Sequence, residues 1–254
     1  MILTVDIGNS HTVFGVYGED GLRFSSRVKT DPLRTETEYA VLLSRLLDFH
    51  RCSAGSIEGA AVSSVVPALT PILRAAIGLL GPIRVLTVGP GVKTGLDIRI
   101  DNPGELASDL VCTAVGAMER YPLPAVIIDL GTATKITVVD RNRRYIGGAI
   151  APGVTVSLGA LTRTASLLPA VALDAKIRPI CGDTAGAVMS GVVLGTASML
   201  DGMIDRFAEE IGKPDTIVAC GGMAPTIIPH CRHAVILDET LPLFGLVSIY
   251  RKNC

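Results

Sequence analysis

The chain has 254 residues, enough for one large domain or two modest ones with a substantial core. Its 23 basic and 24 acidic side chains leave a formal net charge of −1, which excludes a general nucleic-acid or membrane-surface binder. Six scattered cysteines (Cys52, Cys112, Cys181, Cys220, Cys231, Cys254) with no C-x-x-C pair predict reduced, mostly buried thiols and a cytoplasmic protein.

The first residues lack the n-region and cleavage pattern of a signal peptide, and MILTVDIG already reads as a strand. Apolar, β-branched runs predict strands over 3–7, 13–17, 59–62, 84–88, 125–129, 135–140, 216–219 and 234–237. Between them, helical spacing predicts helices over 36–49, 68–80, 105–119, 154–161 and 184–211, with a short piece after Met223. This alternation implies α/β layers in which helices cover a mixed sheet. The uncharged run 184–200 falls short of the ~20 apolar residues that a membrane span requires, and it continues into the amphipathic DGMIDRFAEEIG. It reads as a buried helix, and no membrane partner is expected. At Tyr121–Pro124, YPLP breaks a helix before a new strand system, placing a boundary between residues 1–121 and 122–254.

The chain repeats itself across that boundary. TVDIGNSHTVFGVYG from Thr4 and IIDLGTATKITVVD from Ile127 share one grammar: strand, Asp, apolar residue, Gly, hydroxyl or amide residues, second strand. Asp6 aligns with Asp129, Gly8 with Gly131 and Asn9 with Thr132, which predicts two homologous halves facing each other across a cleft. In Asp6-Ile7-Gly8-Asn9-Ser10-His11-Thr12 a strand ends in a carboxylate, Gly8 lets an anion approach the backbone, and Asn9, Ser10 and Thr12 offer donors. Because like charges repel, Asp6 would meet a phosphate through Mg²⁺ or a water on it. One copy alone is equally an ordinary hairpin whose Gly and Asn supply turn geometry; two copies favour a phosphate clamp. The second copy, Asp129 to Thr134 with Gly131 and Thr132, suits a nucleotide phosphate or a cation. In IVACGGMAP a strand gives way to Gly221-Gly222, a bend against which a flat, apolar base can lie.

Two patterns lead elsewhere. GPGVKTG, residues 89–95, follows a strand but lacks the G-x-x-x-x-G-K-[ST] spacing of a phosphate-binding P-loop. His230-Cys231-Arg232-His233 lacks the further ligands of a metal site. Asp109, in the first turns of a helix after Asn102-Pro103, has two readings from spacing alone. It is a base that takes a proton from a substrate hydroxyl, or an acid that complements the helix macrodipole.

These motifs together resemble the type III pantothenate kinases of the actin, hexokinase and sugar-kinase superfamily. The resemblance runs over nearly the whole chain: DIGNS at Asp6, VSSVVP at Val62, GPGVKTGL at Gly89, DNP at Asp101, DLGTAT at Asp129 and GGAIAPGV at Gly147. It continues through LP at Leu168, Thr184, CGGMA at Cys220 and LPLFGL near the end. It implies an α/β fold of two actin-like (ribonuclease H-like) halves around an ATP cleft, and a homodimer with active sites at the subunit interface. It implies transfer of the ATP γ-phosphate to the primary hydroxyl of pantothenate, with Mg²⁺ and a monovalent cation, K⁺ or NH₄⁺. Carried over by position, Asp6, Gly8, Asn9, Ser10, His11 and Thr12 handle ATP and Mg²⁺ with Gly131, Thr132, Gly221 and Gly222. Asp109 is implied as the base, Asp129 as the carboxylate for the monovalent cation, and Ile100, Ala107, Ser108, Leu110 and Thr184 join Asp109 in the acceptor pocket. Around the base this chain reads Ala-Ser-Asp-Leu where the family pattern is Gly-Ala-Asp-Arg, and Ile100 replaces a Tyr. Leu110 and Ile100 motivate a rival expectation, a kinase acting on a different small hydroxyl compound; a non-catalytic regulator is a third.

Overall fold

A computed structural model describes residues 1–165, 171 and 177–254, so the Leu168-Pro169 motif lies outside the described residues. In chain order the elements are β1 (Ile2–Ile7), β2 (His11–Gly18), β3 (Gly21–Lys29), α1 (Glu36–Phe49), β4 (Gly59–Ser64), α2 (Leu69–Gly78), β5 (Arg84–Thr87), β6 (Asp97–Ile98) and α3 (Ser108–Arg120). There follow β7 (Ala125–Leu130), β8 (Ala133–Val139), β9 (Arg144–Pro152), α4 (Val154–Thr164), α5 (Thr184–Ile211), β10 (Thr216–Cys220), α6 (Ala224–Ile227), β11 (Ile236–Leu237) and α7 (Leu241–Asn253).

One compact unit comprises residues 1–96, 102–119 and 240–254. Its sheet runs β3-β2-β1-β4-β5. β1 pairs antiparallel with β2 and parallel with β4, so both of its edges are satisfied. Leu3, Val5 and Ile7 alternate onto one face and meet Tyr39, Leu43 and Leu47 of α1 and Leu69, Leu73 and Ile77 of α2. α1 starts where it does because Thr35 and Glu38 form a reciprocal capping box: Glu38 N–H donates to Thr35 Oγ1 at 3.3 Å, and Thr35 N–H to Glu38 Oε2 at 2.7 Å. On the other face α7 packs on β1 and β4. It approaches α3 so closely that a side chain at Gly245 would strike the Cys112 carbonyl.

The other unit comprises residues 97–101 and 120–239, with a sheet ordered β11-β10-β7-β8-β9-β6. Its central pairings repeat those of the first: β7 runs antiparallel to β8 and parallel to β10, as β1 does to β2 and β4. Val126, Ile128 and Leu130 face Val193, Ala197, Leu200 and Ile204 of α5. α5 is long and apolar enough to cross a membrane, with one third of its apolar window buried. It buries one stripe in this core, while Ala187, Gly191 and Gly195 stay exposed.

A division of the chain at Tyr121 groups two segments differently. α7 belongs with the first sheet because its apolar residues Leu243, Leu246, Val247 and Ile249 are buried. Residues 97–101 belong with the second because β6 pairs with β9. None of the six cysteines forms a disulfide; Cys112 and Cys220 are buried, Cys52, Cys181 and Cys231 half-buried, and Cys254 exposed, fewer buried than the composition suggested.

The α3–α7 approach yields a stability prediction. Gly245→Val has no room against the Cys112 carbonyl and should cost about 1–3 kcal/mol by overpacking, whereas Ser248→Ala on the same helix should be near neutral. Chemical denaturation of the two variants beside the wild type measures the difference.

Candidate active site

In the first unit the site is built at the end of β1. Asp6 lies opposite Val13 of β2 and Ser63 of β4 and is half-buried. The chain then turns: Gly8 N–H donates to the His11 carbonyl at 3.0 Å, leaving Asn9, Ser10 and His11 exposed. Thr30, just past β3, holds this turn. Its hydroxyl donates to the Gly8 carbonyl at 2.7 Å and lies 2.9 Å from the Thr12 hydroxyl, and its N–H donates to the Ser10 carbonyl at 3.0 Å. Arg27 Nη2 donates to His11 Nδ1 at 2.8 Å. Burial, and then the Arg27 guanidinium, lower the His11 pKa from its ordinary value.

The N-terminus of α3 is tied to the end of β4. Ser108 Oγ accepts from Ser64 N–H at 2.9 Å, donates to the Ser64 carbonyl at 3.0 Å and lies 3.1 Å from Ser63 Oγ. This anchors Asp109, the next residue, whose Oδ1 accepts from the Leu110 N–H at 2.8 Å. Ala107, Ser108 and Asp109 are half-buried, whereas Leu110 is buried and offers an apolar surface only. One turn along, burial pushes the Cys112 thiol well up, and the charges of Asp6 and Asp109 add to the shift. Both carboxylates border the end of β4: Asp6 is the strand neighbour of Ser63, and Ser63 Oγ lies 3.1 Å from Ser108 Oγ, next to Asp109.

In the second unit Asp129 occupies the place of Asp6, at the end of the central strand. Here the cross-strand neighbour is Lys135, whose Nζ lies 2.6 Å from Asp129 Oδ2. Gly131 N–H donates to the Ala133 carbonyl at 3.1 Å, and Gly153 N–H to the Thr132 carbonyl at 3.1 Å, so Thr132 projects exposed from a fixed turn. Gly221 folds against the same place. Its φ of +93° suits glycine, and a Cβ there would stand 2.6 Å from Asp129 Oδ1. Gly222 follows it, exposed. Asp129, Gly131, Thr132, Gly221 and Gly222 are thus one cluster.

Thr184 and Ile100 lie apart from that cluster. Thr184 opens α5, capped by Asp183, and lines a cavity of about 620 Å³ with Ala151, Pro152, Leu161, Val188 and Gly191. Ile100 is half-buried beside Gly147 of β9. The two decoys are structural: Asn253 Oδ1 accepts from Lys93 N–H in the 89–95 loop at 3.0 Å, and His233 Nε2 lies 2.9 Å from Asp205 Oδ1. Thr30, Arg27 and Lys135 were not foreseen as site residues. Only Lys135 had a signal in sequence, a cation at the strand position opposite Asp129 once the repeat is laid out as a hairpin.

The sequence pattern of the type III pantothenate kinases matches residues 2–206. The chain is 38% identical over 253 residues to a type III pantothenate kinase of Exiguobacterium sp. (strain ATCC BAA-1283 / AT1b), spanning all of this chain and 99% of the relative. It is 36% identical over 253 residues to that of Syntrophus aciditrophicus (strain SB), with both chains covered in full. Among solved structures, the activator of 2-hydroxyisocaproyl-CoA dehydratase from Clostridium difficile, with bound ADPNP, superposes with a TM-score of 0.57 at 14% identity. That match covers 98% of this chain and 93% of the other. A ROK family glucokinase from Streptomyces griseus, in complex with glucose and AMPPNP, gives 0.55 at 14% identity and 98% coverage of both chains. The fold is that of the actin-like ATPases and sugar kinases, with two actin-like halves.

The clamp on the first turn makes a prediction independent of activity. Thr30→Val keeps the shape but leaves the buried Thr12 hydroxyl and the Gly8 carbonyl without their partner, and should cost about 1–3 kcal/mol. Thr30→Ser, which keeps the hydroxyl, should recover most of it in the same unfolding measurement.

Proposed function

Because the chain belongs to the type III pantothenate kinase family, we propose that it transfers the γ-phosphate of ATP to the primary hydroxyl of pantothenate. The observation that carries this reading is that Asp6 and the Ser108-Asp109 helix start both border Ser63 at the end of β4, in a chain alike to those kinases over its full length. Phosphoryl transfer asks little covalent chemistry of a protein; positioning and charge neutralisation supply most of the rate.

The residues divide by charge. The turn from Gly8 to Thr12 presents backbone and hydroxyl donors to phosphate oxygens, with Arg27 beside it as a fixed cation. Asp6 suits Mg²⁺, an ion that takes one or two carboxylates, keeps its waters and bridges to phosphate; when bound it neutralises charge on the phosphate oxygens. Asp109, anchored through Ser108, accepts the proton of the attacking hydroxyl. Thr132 and the Gly221-Gly222 bend serve the nucleotide. Thr184 and Ile100 serve the acceptor, and Leu110 makes its side apolar near the base. A free monovalent cation at Asp129 does not fit the donor set, because the Lys135 ammonium already sits on that carboxylate.

The reading includes a homodimer and a cytoplasmic location. The scattered cysteine spacing, without a C-x-x-C pair, supports the second. For the first, Ile150 at 70% and Ile180 at 90% exposure, with the smooth Gly191 and Gly195 face of α5, leave apolar surface that a second copy would cover. Light scattering after size-exclusion chromatography should give twice the 26.5 kDa chain mass; a monomer at micromolar concentration would remove the dimer from the reading.

The kinase itself is tested by isotope transfer from γ-labelled ATP, with pantothenate set beside a panel of other small alcohols. Labelled pantothenate as the preferred product is expected. Asp109→Asn should lower kcat by about 10²–10⁴-fold and leave ATP affinity, read by calorimetry, within about two-fold. A loss of ATP affinity instead would show that Asp109 is not the base.

A further inference from the structure

The two copies of the strand–carboxylate motif are alike in backbone and opposite in what faces the carboxylate. Asp6 has Val13 and Ser63 as its strand neighbours, whereas Asp129 has Lys135 and Cys220. Lys135 stands directly across the β7–β8 ladder, and its Nζ lies 2.6 Å from Asp129 Oδ2. Both side chains are largely withdrawn from water, at 14% and 17% exposure, so solvent and salt screen this pair far less than a surface pair. The other carboxylate oxygen faces the Gly221 backbone, where even a Cβ would stand 2.6 Å away.

Chemically, an alkylammonium head is a monovalent cation that cannot diffuse away. It has one positive charge, a size close to that of K⁺ or NH₄⁺, and a preference for oxygen partners. A free monovalent cation brought to the same oxygen would sit in contact with the ammonium, where two like charges oppose each other. Binding would require Lys135 to leave its partner, and its low exposure makes an unpaired charge there costly.

We infer that the Lys135 ammonium takes the place of a monovalent cation at Asp129, so that phosphate transfer by this chain needs neither K⁺ nor NH₄⁺. The inference rests on the kinase reading for its activity arm and on geometry alone for its binding arm. Lys135 is a positioning residue. It neutralises Asp129 beside the Thr132 and Gly221 cluster, and acts on the nucleotide through that cluster.

The test uses the full chain, exchanged into choline chloride, with ATP as an organic-base salt and MgCl₂. Replacing choline by K⁺ or NH₄⁺ at constant ionic strength should change wild-type turnover by less than about two-fold and leave its Tm unmoved. Lys135→Met should lose at least about ten-fold in turnover in choline, recover with KCl, and gain a K⁺-dependent rise in Tm. Lys135→Arg, which keeps the charge, should stay indifferent to KCl. Stimulation of the wild type by K⁺ of about ten-fold or more, or a K⁺-dependent rise in its Tm, would overturn the inference. So would a Lys135→Met enzyme fully active in choline. Should Lys135→Met not fold, the wild-type arms decide alone. Should the wild type transfer no phosphate under any condition, the kinase reading fails, and the K⁺ dependence of Tm still decides whether Asp129 takes a free cation.

Discussion

Each half of this protein hangs a carboxylate on the last residues of a central strand that has no freedom to slip. β1 is bonded on both edges, and Leu3, Val5 and Ile7 are at most 1% exposed beneath α1 and α2. A shift of one residue would turn all three toward the opposite face, so the register of β1 is held by the whole first core. Asp6, on the face opposite those residues, inherits that rigidity. β7 does the same for Asp129 through Val126, Ile128 and Leu130. A catalytic or binding carboxylate needs placing to within a fraction of an ångström, and here the hydrophobic effect does the placing from the far side of the sheet.

In the first unit the segments beside Asp6 and Asp109 are secured by hydroxyl hydrogen bonds between elements. Thr30 reaches from the end of β3 to Gly8, Ser10 and Thr12, and Ser108 reaches from α3 to Ser63 and Ser64. Such short hydroxyl ties leave the turn backbone exposed for a ligand while removing its freedom to rearrange. The entropy of ordering the loop is thus met on folding, before any ligand arrives. The family's chemistry, in which positioning and charge neutralisation dominate, suits a site of this construction.

Much of this was legible in the sequence because it rests on local rules. The strands over 3–7 and 125–129, the repeat, and the Gly221 turn follow from β-branching, from grammar and from the backbone freedom of glycine. β3 was not legible, since Arg23, Ser25, Arg27 and Lys29 give an edge strand with little apolar content. β9 hid behind Gly147, Gly148 and Pro152, and α7 behind Pro242, Gly245 and an apolar surface with no polar face to set a period. Arg27, Thr30 and Lys135 gain their meaning only from register. Spacing along the chain cannot say that Thr30 ends beside Gly8, or that Lys135 lies across from Asp129 rather than one residue off.

The same register argument explains how a duplicated motif acquires two electrostatic characters. Duplication copies backbone geometry faithfully, because geometry is held by the buried faces that both copies share. The exposed-side neighbour of the carboxylate is under no such constraint, and one cross-strand position separates a valine from a lysine. Across the ladder from Asp6 stands Val13, which carries no charge. With Lys135, Asp129 becomes half of an internal ion pair, and the pair as a whole carries no net charge. The lysine offsets the charge of Asp129 within its own unit.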